Sequence, residues 1–239
     1  MTEESAYKTE EWAAGTTVGR RIFNYNYRMT DTTLKSWELV NVVEAENEPG
    51  LTEKIYIWEK TGSKGKTLVR VGISEHNDWR LAQAQLHRHL MHSMRPNIPR
   101  GSGKLAKIGD VIFAGQPRDA KAVATTFFTR GNVTVTVSSV GENVIDISNI
   151  VRMLDRALNE TPSKQEIEKG LAEELAPRSF KAMKGETVKI IDKLPEPVAR
   201  SGWIKIITPD GELRREDDSV VYVSPQAGEK KVEQYWIMH

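Results

Sequence analysis

IGDVIFAGQPRDAKAVATTFFTRGNVTVTVSSVGENVIDISNIVRMLDRAL, residues Ile108–Leu158, is the stretch in which strand, turn, cap and helix signals all agree. Lys107 to Ala114 reads as a strand that breaks at Gly115-Gln116-Pro117. Ala122 to Thr129 reads as a second strand. Arg130-Gly131-Asn132 is the tight turn after it, with glycine supplying the positive φ. Val133, Val135 and Val137 alternate with Thr134, Thr136 and Ser138, the period-two pattern of a strand with one face buried. Asp146 or Ser148 then caps a helix. Its Ile147, Ile150, Val151, Leu154, Ala157 and Leu158 form an apolar stripe, with Arg152, Asp155 and Arg156 turned to water. Three antiparallel strands with this helix laid on their apolar face is the economical packing. Arg130, Asn132, Thr134, Thr136 and Ser138 all fit turn or solvent-facing positions. The stretch is therefore scaffold, and a site is expected on other elements.

Upstream, Ile22, Asn24, Asn26 and Arg28 alternate with Phe23, Tyr25, Tyr27 and Met29, which predicts a half-buried strand. Leu34 to Ala45 is compatible with strand or helix. Lys54 to Trp58 and Thr67 to Ile73 flank the loop Thr61-Gly-Ser-Lys-Gly65 and predict a hairpin. Asn77 or Asp78 caps a helix carrying Trp79, Ala82, Leu86 and Leu90 at helical spacing, which runs to Arg95 and stops at Pro96. Residues 97–104, NIPRGSGK, form a loop on the surface.

Downstream, Ser163 and Glu166 fit a capping box for a connecting helix through Leu175, which Pro177 ends. From Phe180 onward short β runs alternate with turns such as Pro209-Asp-Gly211, which predicts a small all-β module of about five strands. The fold class is thus α+β, an antiparallel sheet packed by two amphipathic helices, followed by a linker helix and a small all-β module. The corresponding organisation is a flexible segment 1–20, an α+β domain 21–160, a linker helix 161–178 and a β module 179–239.

Composition narrows the function. The chain has 239 residues and a net charge of +1, so no whole-protein field draws nucleic acid or an anionic membrane. Hydrophobic content of 38% and charged content of 28% are those of a soluble globular protein. No apolar run reaches the roughly 18 residues of a membrane span. With no cysteine, disulfides, thiol catalysis and Cys-type zinc sites are excluded. The N-terminal residues lack a basic and an apolar region, so no signal peptide is read. An extracytoplasmic location, periplasmic or secreted, is expected if Met1 was added to a mature exported chain, and a cytoplasmic one otherwise.

Two groups of residues are candidates for chemistry. His87, His89 and His92 lie within HRHLMHSM; on a helix His89 and His92 are three apart and share a face, a pair that zinc or copper would accept with ligands from elsewhere. The plainer reading packs His89 beside Leu86 and Leu90 and leaves the others solvated, with no cofactor. Tyr25, Tyr27, Tyr56 and Trp58, with Asn24 and Asn26 as hydrogen-bonding partners, would line a groove for a sugar or peptide; core packing is the default for such aromatics. Gly101-Ser-Gly103-Lys104 lacks the spacing of a phosphate loop, and no nucleophile elbow is present. The function expected is a non-catalytic extracytoplasmic binding or accessory protein, its partner a small molecule, a glycan or another protein. The alternative is a metal-assisted hydrolase or lyase acting on a polymer such as a polysaccharide, using His76, His87, His89 or His92 with Arg and Tyr partners.

Overall fold

The computed structural model describes residues 7–15, 34, 36–48, 51–76, 78–93, 97–116, 122–159, 172–193, 202–208, 210–216 and 219–238. Strands predominate among the described residues, so sheet pairing is the main source of long-range order in a mixed α and β architecture. The elements up to residue 159 are a short helix α1 (Thr9–Gly15), strands β1 (Trp37–Glu48), β2 (Leu51–Lys60) and β3 (Thr67–Glu75), helix α2 (Trp79–Met91), strands β4 (Val111–Gly115), β5 (Thr125–Arg130) and β6 (Val133–Gly141), and helix α3 (Ser148–Asn159).

All six strands join one antiparallel sheet in the order β1-β2-β3-β6-β5-β4. The ambiguous run resolves as strand from Trp37 onward, where Val42, Val43 and Glu44 find register partners in Tyr56, Ile55 and Lys54. The three central strands expected from Ile108–Leu158 are thus half of a larger sheet, closed onto the β2–β3 hairpin by β3–β6 pairing from Thr67↔Gly141 to Glu75↔Val133.

The helices cover opposite faces of the sheet. Ile112, Ala114, Phe128, Val133, Val135 and Val137 join Tyr56, Trp58, Val69, Val71 and Ile73 in one core with the α3 stripe. Val111 and Phe113, one position out of phase, pack with Leu86 and Leu90 of α2 and with Tyr7 and Trp12. Period-two alternation therefore serves two cores. This corrects the solvent-facing reading of Thr134, which is 1% exposed beneath α2 and donates to Ala82 O at 2.9 Å.

Asp155 does not face water either. Its carboxylate takes three bonds from the Arg130 guanidinium at 2.7–2.9 Å and one from Gly109 N at 3.0 Å. Asp110 accepts from Gly131 N at 2.7 Å on the same turn. Arg130 is therefore a staple joining α3 to the β5–β6 turn and to the segment before β4, held by a bidentate guanidinium–carboxylate pair.

The second half of the described chain holds β7 (Ala172–Ala182), β8 (Thr187–Ile191), β9 (Gly202–Ile207), β10 (Glu212–Glu216), β11 (Ser219–Val223) and β12 (Gly228–Met238), in sheets β7-β12-β9 and β10-β11-β8. Residues 172–175 belong to β7, which corrects the expected helix through Leu175. Glu173, Glu174 and Leu175 pair with Trp236, Tyr235 and Gln234, and sheet pairing overrides the helix propensity of the run. Pro177 fits because the register shifts between Val232 and Gln234, leaving it at a bulge where no ladder donor is needed. Ile190, Ile206, Leu213, Val220, Tyr222 and Val232 form a separate core. The predicted turn at Gly211 (φ +80) lies against the Tyr222 ring. Asp210 in that turn accepts from Tyr222 Oη and Lys230 Nζ, both at 2.6 Å. Arg80 of α2 reaches Glu212 of β10 at 2.7 Å.

Candidate functional site

A concavity lies where the chain passes from α2 to β4. Asn97 adopts a left-handed conformation (φ 61), one that asparagine tolerates, and turns the chain along the outer edge of β4. Ala114 N donates to Pro99 O at 3.0 Å and Gly101 N to Ile112 O at 2.9 Å, so residues 99–101 lie along β4 as a short added strand. Tyr7 Oη accepts from Ile98 N at 3.0 Å and holds the start of the loop. A 3-10 turn at Gly103–Leu105 returns Leu105 to the α3-side core.

Between this loop, the end of β4 and the start of α3 lies a cleft of about 690 Å3. Ile98, Leu105, Ala114, Gly115 and Val123 give it an apolar floor, and Asn97, Arg100, Ser102, Lys104, Gln116 and Ser148 give it a polar rim. The Arg100 guanidinium lies 5.1 Å from the Phe113 ring centre and 5.9 Å from that of Trp12. This stacking fixes the direction of a side chain that is otherwise free to sweep. Partial burial lowers the Arg100 pKa and the Glu11 carboxylate opposes it.

Ser148 opens α3, whose N-terminus is already occupied: Asp146 Oδ1 accepts from Ser148 N at 2.7 Å. Hydrogen bonds from Ser148 hold the Asp146 carboxyl below its ordinary range despite some burial. Arg100 and Lys104 are the cationic residues among those lining the cleft.

The histidines are held in separate environments. His87 stands edge-on to Tyr7 and Trp12, with ring centres 6.4 and 6.0 Å away. His89 lies on the other flank of α2, stacked on Phe127 at 6.2 Å, its Nε2 3.2 Å from the Gln85 amide. His92 caps the end of α2, its Nδ1 2.9 Å from Arg88 O. Among the described residues no three His, Asp or Glu side chains come together as a group that would hold a metal ion. His89 and His92 share a helix face, and each ring is engaged by a different neighbour.

His76 is buried at the end of β3. Thr134 Oγ1 gives its proton to Ala82 O, so it accepts from His76 Nε2–H at 3.0 Å. Burial, with help from Arg88 and His89, pushes the His76 pKa down to about 4. Asn132 Nδ2 donates to His76 O at 3.0 Å and completes the junction.

Tyr56 and Trp58 sit in the α3-side core, Trp58 fully buried, which removes both from any open groove. Asn24, Asn26, Tyr25 and Tyr27 lie outside the described residues. The sequence shows residues 97–104 only as a surface loop and gives no sign of their partners Gly115, Gln116, Val123 and Ser148. These come from three other segments, and only the fold juxtaposes them.

No helix among the described residues is long and apolar enough to cross a membrane. No family model, curated protein or solved structure matches this chain.

Proposed function

We propose that the protein is a non-catalytic binding protein whose ligand is a small molecule with an apolar body and an anionic group, held in the cleft beside the 97–105 loop. The observation that carries this reading is the pairing of an apolar floor with two rim cations, Arg100 and Lys104. An apolar body gains free energy on the floor through desolvation, and the anionic end is oriented by the cations and by neutral groups of Asn97, Ser102 and Ser148. The Arg100 side chain is already fixed by Trp12 and Phe113, so little ordering is required on binding.

The reading is tested with an amphipathic aromatic anion, anilinonaphthalene sulfonate, titrated by fluorescence against the folded protein. Saturable one-to-one binding is expected. Lys104→Glu should weaken it by roughly tenfold through charge reversal. Gly115→Leu should abolish it by filling the floor, since a Cβ at Gly115 meets nothing closer than 3.8 Å and the backbone accepts a side chain there. Binding that survives both substitutions would remove the cleft from consideration.

A further inference from the structure

We infer that the cleft takes apolar organic anions of single charge, such as a carboxylate or a sulfate ester, and rejects a phosphate dianion carried on the same apolar body. The inference rests on the cleft reading and adds the charge class of the ligand.

The two rim cations are not equivalent. Arg100 is engaged from α1: the Trp12 ring centre lies 5.9 Å from its guanidinium carbon, and the Glu11 carboxylate, next in the chain to Trp12, acts on its charge. Glu11 also pairs with Lys8 at 3.7 Å, with both side chains well exposed. Part of the Arg100 charge is therefore answered before a ligand arrives. Lys104, on the 3-10 turn, is exposed to solvent and screened by it.

The wall formed by α3 decides how many negative charges the cleft can hold. The backbone N–H groups that open a helix are the usual partners of a phosphate. Here a carboxylate of the chain already stands in that place. Asp146 Oδ1 accepts from Ser148 N at 2.7 Å. The Ser148 hydroxyl and the backbone N–H groups of Ser148 and Val123 outweigh burial and hold the Asp146 carboxyl in its charged form. Ser148 and Val123 both line the cleft, so this charge sits at its border. A phosphate ester dianion would meet carboxylates on two sides, Glu11 behind Arg100 and Asp146 behind Ser148. A singly charged head is balanced by Arg100 and Lys104 and leaves less to be repelled, while its apolar body lies on Ile98, Leu105 and Val123. The repulsive element is what discriminates between the two ligands.

The test is calorimetric titration of the full chain at pH 8 with octanoate, octyl sulfate and octyl phosphate. The last two share a tetrahedral head and differ in charge, since the second phosphate ionisation lies at about 6. Octanoate and octyl sulfate are expected to bind one-to-one, with octyl phosphate weaker by roughly tenfold or more. Asp146→Asn keeps a capping oxygen. It should improve octyl phosphate binding by roughly threefold more than octyl sulfate binding, while the thermal midpoint reports an intact fold. Glu11→Gln should shift the ratio in the same direction and less strongly, because its charge is more exposed. Octyl phosphate binding as tightly as octyl sulfate would overturn the inference. So would a ratio unchanged in the Glu11→Gln, Asp146→Asn double variant, or no heat with any of the three up to about 10 mM. Equal binding of sulfate and phosphate esters, both lost in Gly115→Leu, would sink the charge selection and leave the cleft standing. Binding of octyl sulfate and of anilinonaphthalene sulfonate that survives both Lys104→Glu and Gly115→Leu would remove the cleft itself, and the inference with it.

Discussion

The two faces of the six-stranded sheet are filled by different chemistry. Beneath α3 the contact is mostly apolar, from Trp58 and Phe128 to Ile147 and Leu154, with the Arg130–Asp155 pair at its edge. Beneath and beside α2 the sheet presents Thr134, Thr136, Ser138, Arg70 and Gly72 along with Phe127, and the helix answers with Gln85 and His89. One strand, β6, supplies valines to the first face and hydroxyls to the second. The α3 face thus carries most of the apolar core and the α2 face carries the buried histidines His76 and His89. A fold that keeps the two on opposite sides of one sheet can change its polar face without loosening its core.

Substitutions separate the two faces. The largest effect is expected on the apolar side: Phe128→Ala removes a fully buried ring and should cost about 3–5 kcal/mol in denaturant unfolding. That loss should be the same at pH 7 and pH 5; a strong pH dependence would mean that the two faces are not independent.

Next comes acid sensitivity, which belongs to the α2 face. The folded-state pKa of His76 is about 4, below its ordinary 6.5. As pH falls the unfolded chain takes up this proton first, so stability fully present above pH 6.5 is lost progressively toward pH 4. The expected loss over that window is roughly 3 kcal/mol. His89 is shifted in the same direction and adds to it. His76→Gln should flatten most of the slope of urea midpoint against pH; an unchanged slope would exonerate His76. The lowered carboxylates Asp146, Asp210 and Glu212 act in the same direction at more acidic pH, losing their contribution as pH drops below the ordinary carboxylate range.

The smallest effect concerns the start of α2. Asp78 Oδ1 accepts from Arg80 N at 2.8 Å and Leu81 N at 3.0 Å. Asp78→Ala should cost about 1 kcal/mol. Full retention of stability in Asp78→Asn would show that capping geometry matters and charge does not.

The sequence made the elements legible where local signals were complete. The β2–β3 hairpin, the Asp78 cap, the Gly131 turn and the α3 stripe each rest on residues close together in the chain. The α2 face was not legible for a physical reason. Thr134 alternating with valines looks the same whether it meets water or a helix from fifty positions upstream, since a hydroxyl is satisfied in either place. Asp155 fell on the polar side of its helical wheel, but a wheel does not show the Arg130 turn folding back onto it. The run before Pro177 carried a narrow apolar stripe, and its β12 partner lies more than fifty residues further on. The cleft shares this history: Ser148 and Lys104 line one cavity only through the closing of α3 over the sheet.

The two backbone hydrogen bonds between residues 99–101 and β4 have a consequence for the cleft they border. The same loop that walls the cleft is the stopper on that edge of the sheet. Peeling it outward to admit a bulky ligand would bare the donors and acceptors of Val111–Gly115, an invitation to pairing with a strand from another molecule. Entry to the cleft must then come through the side-chain rim and not through movement of its backbone wall. The size limit on the ligand is set by the need to keep one sheet from growing into the next.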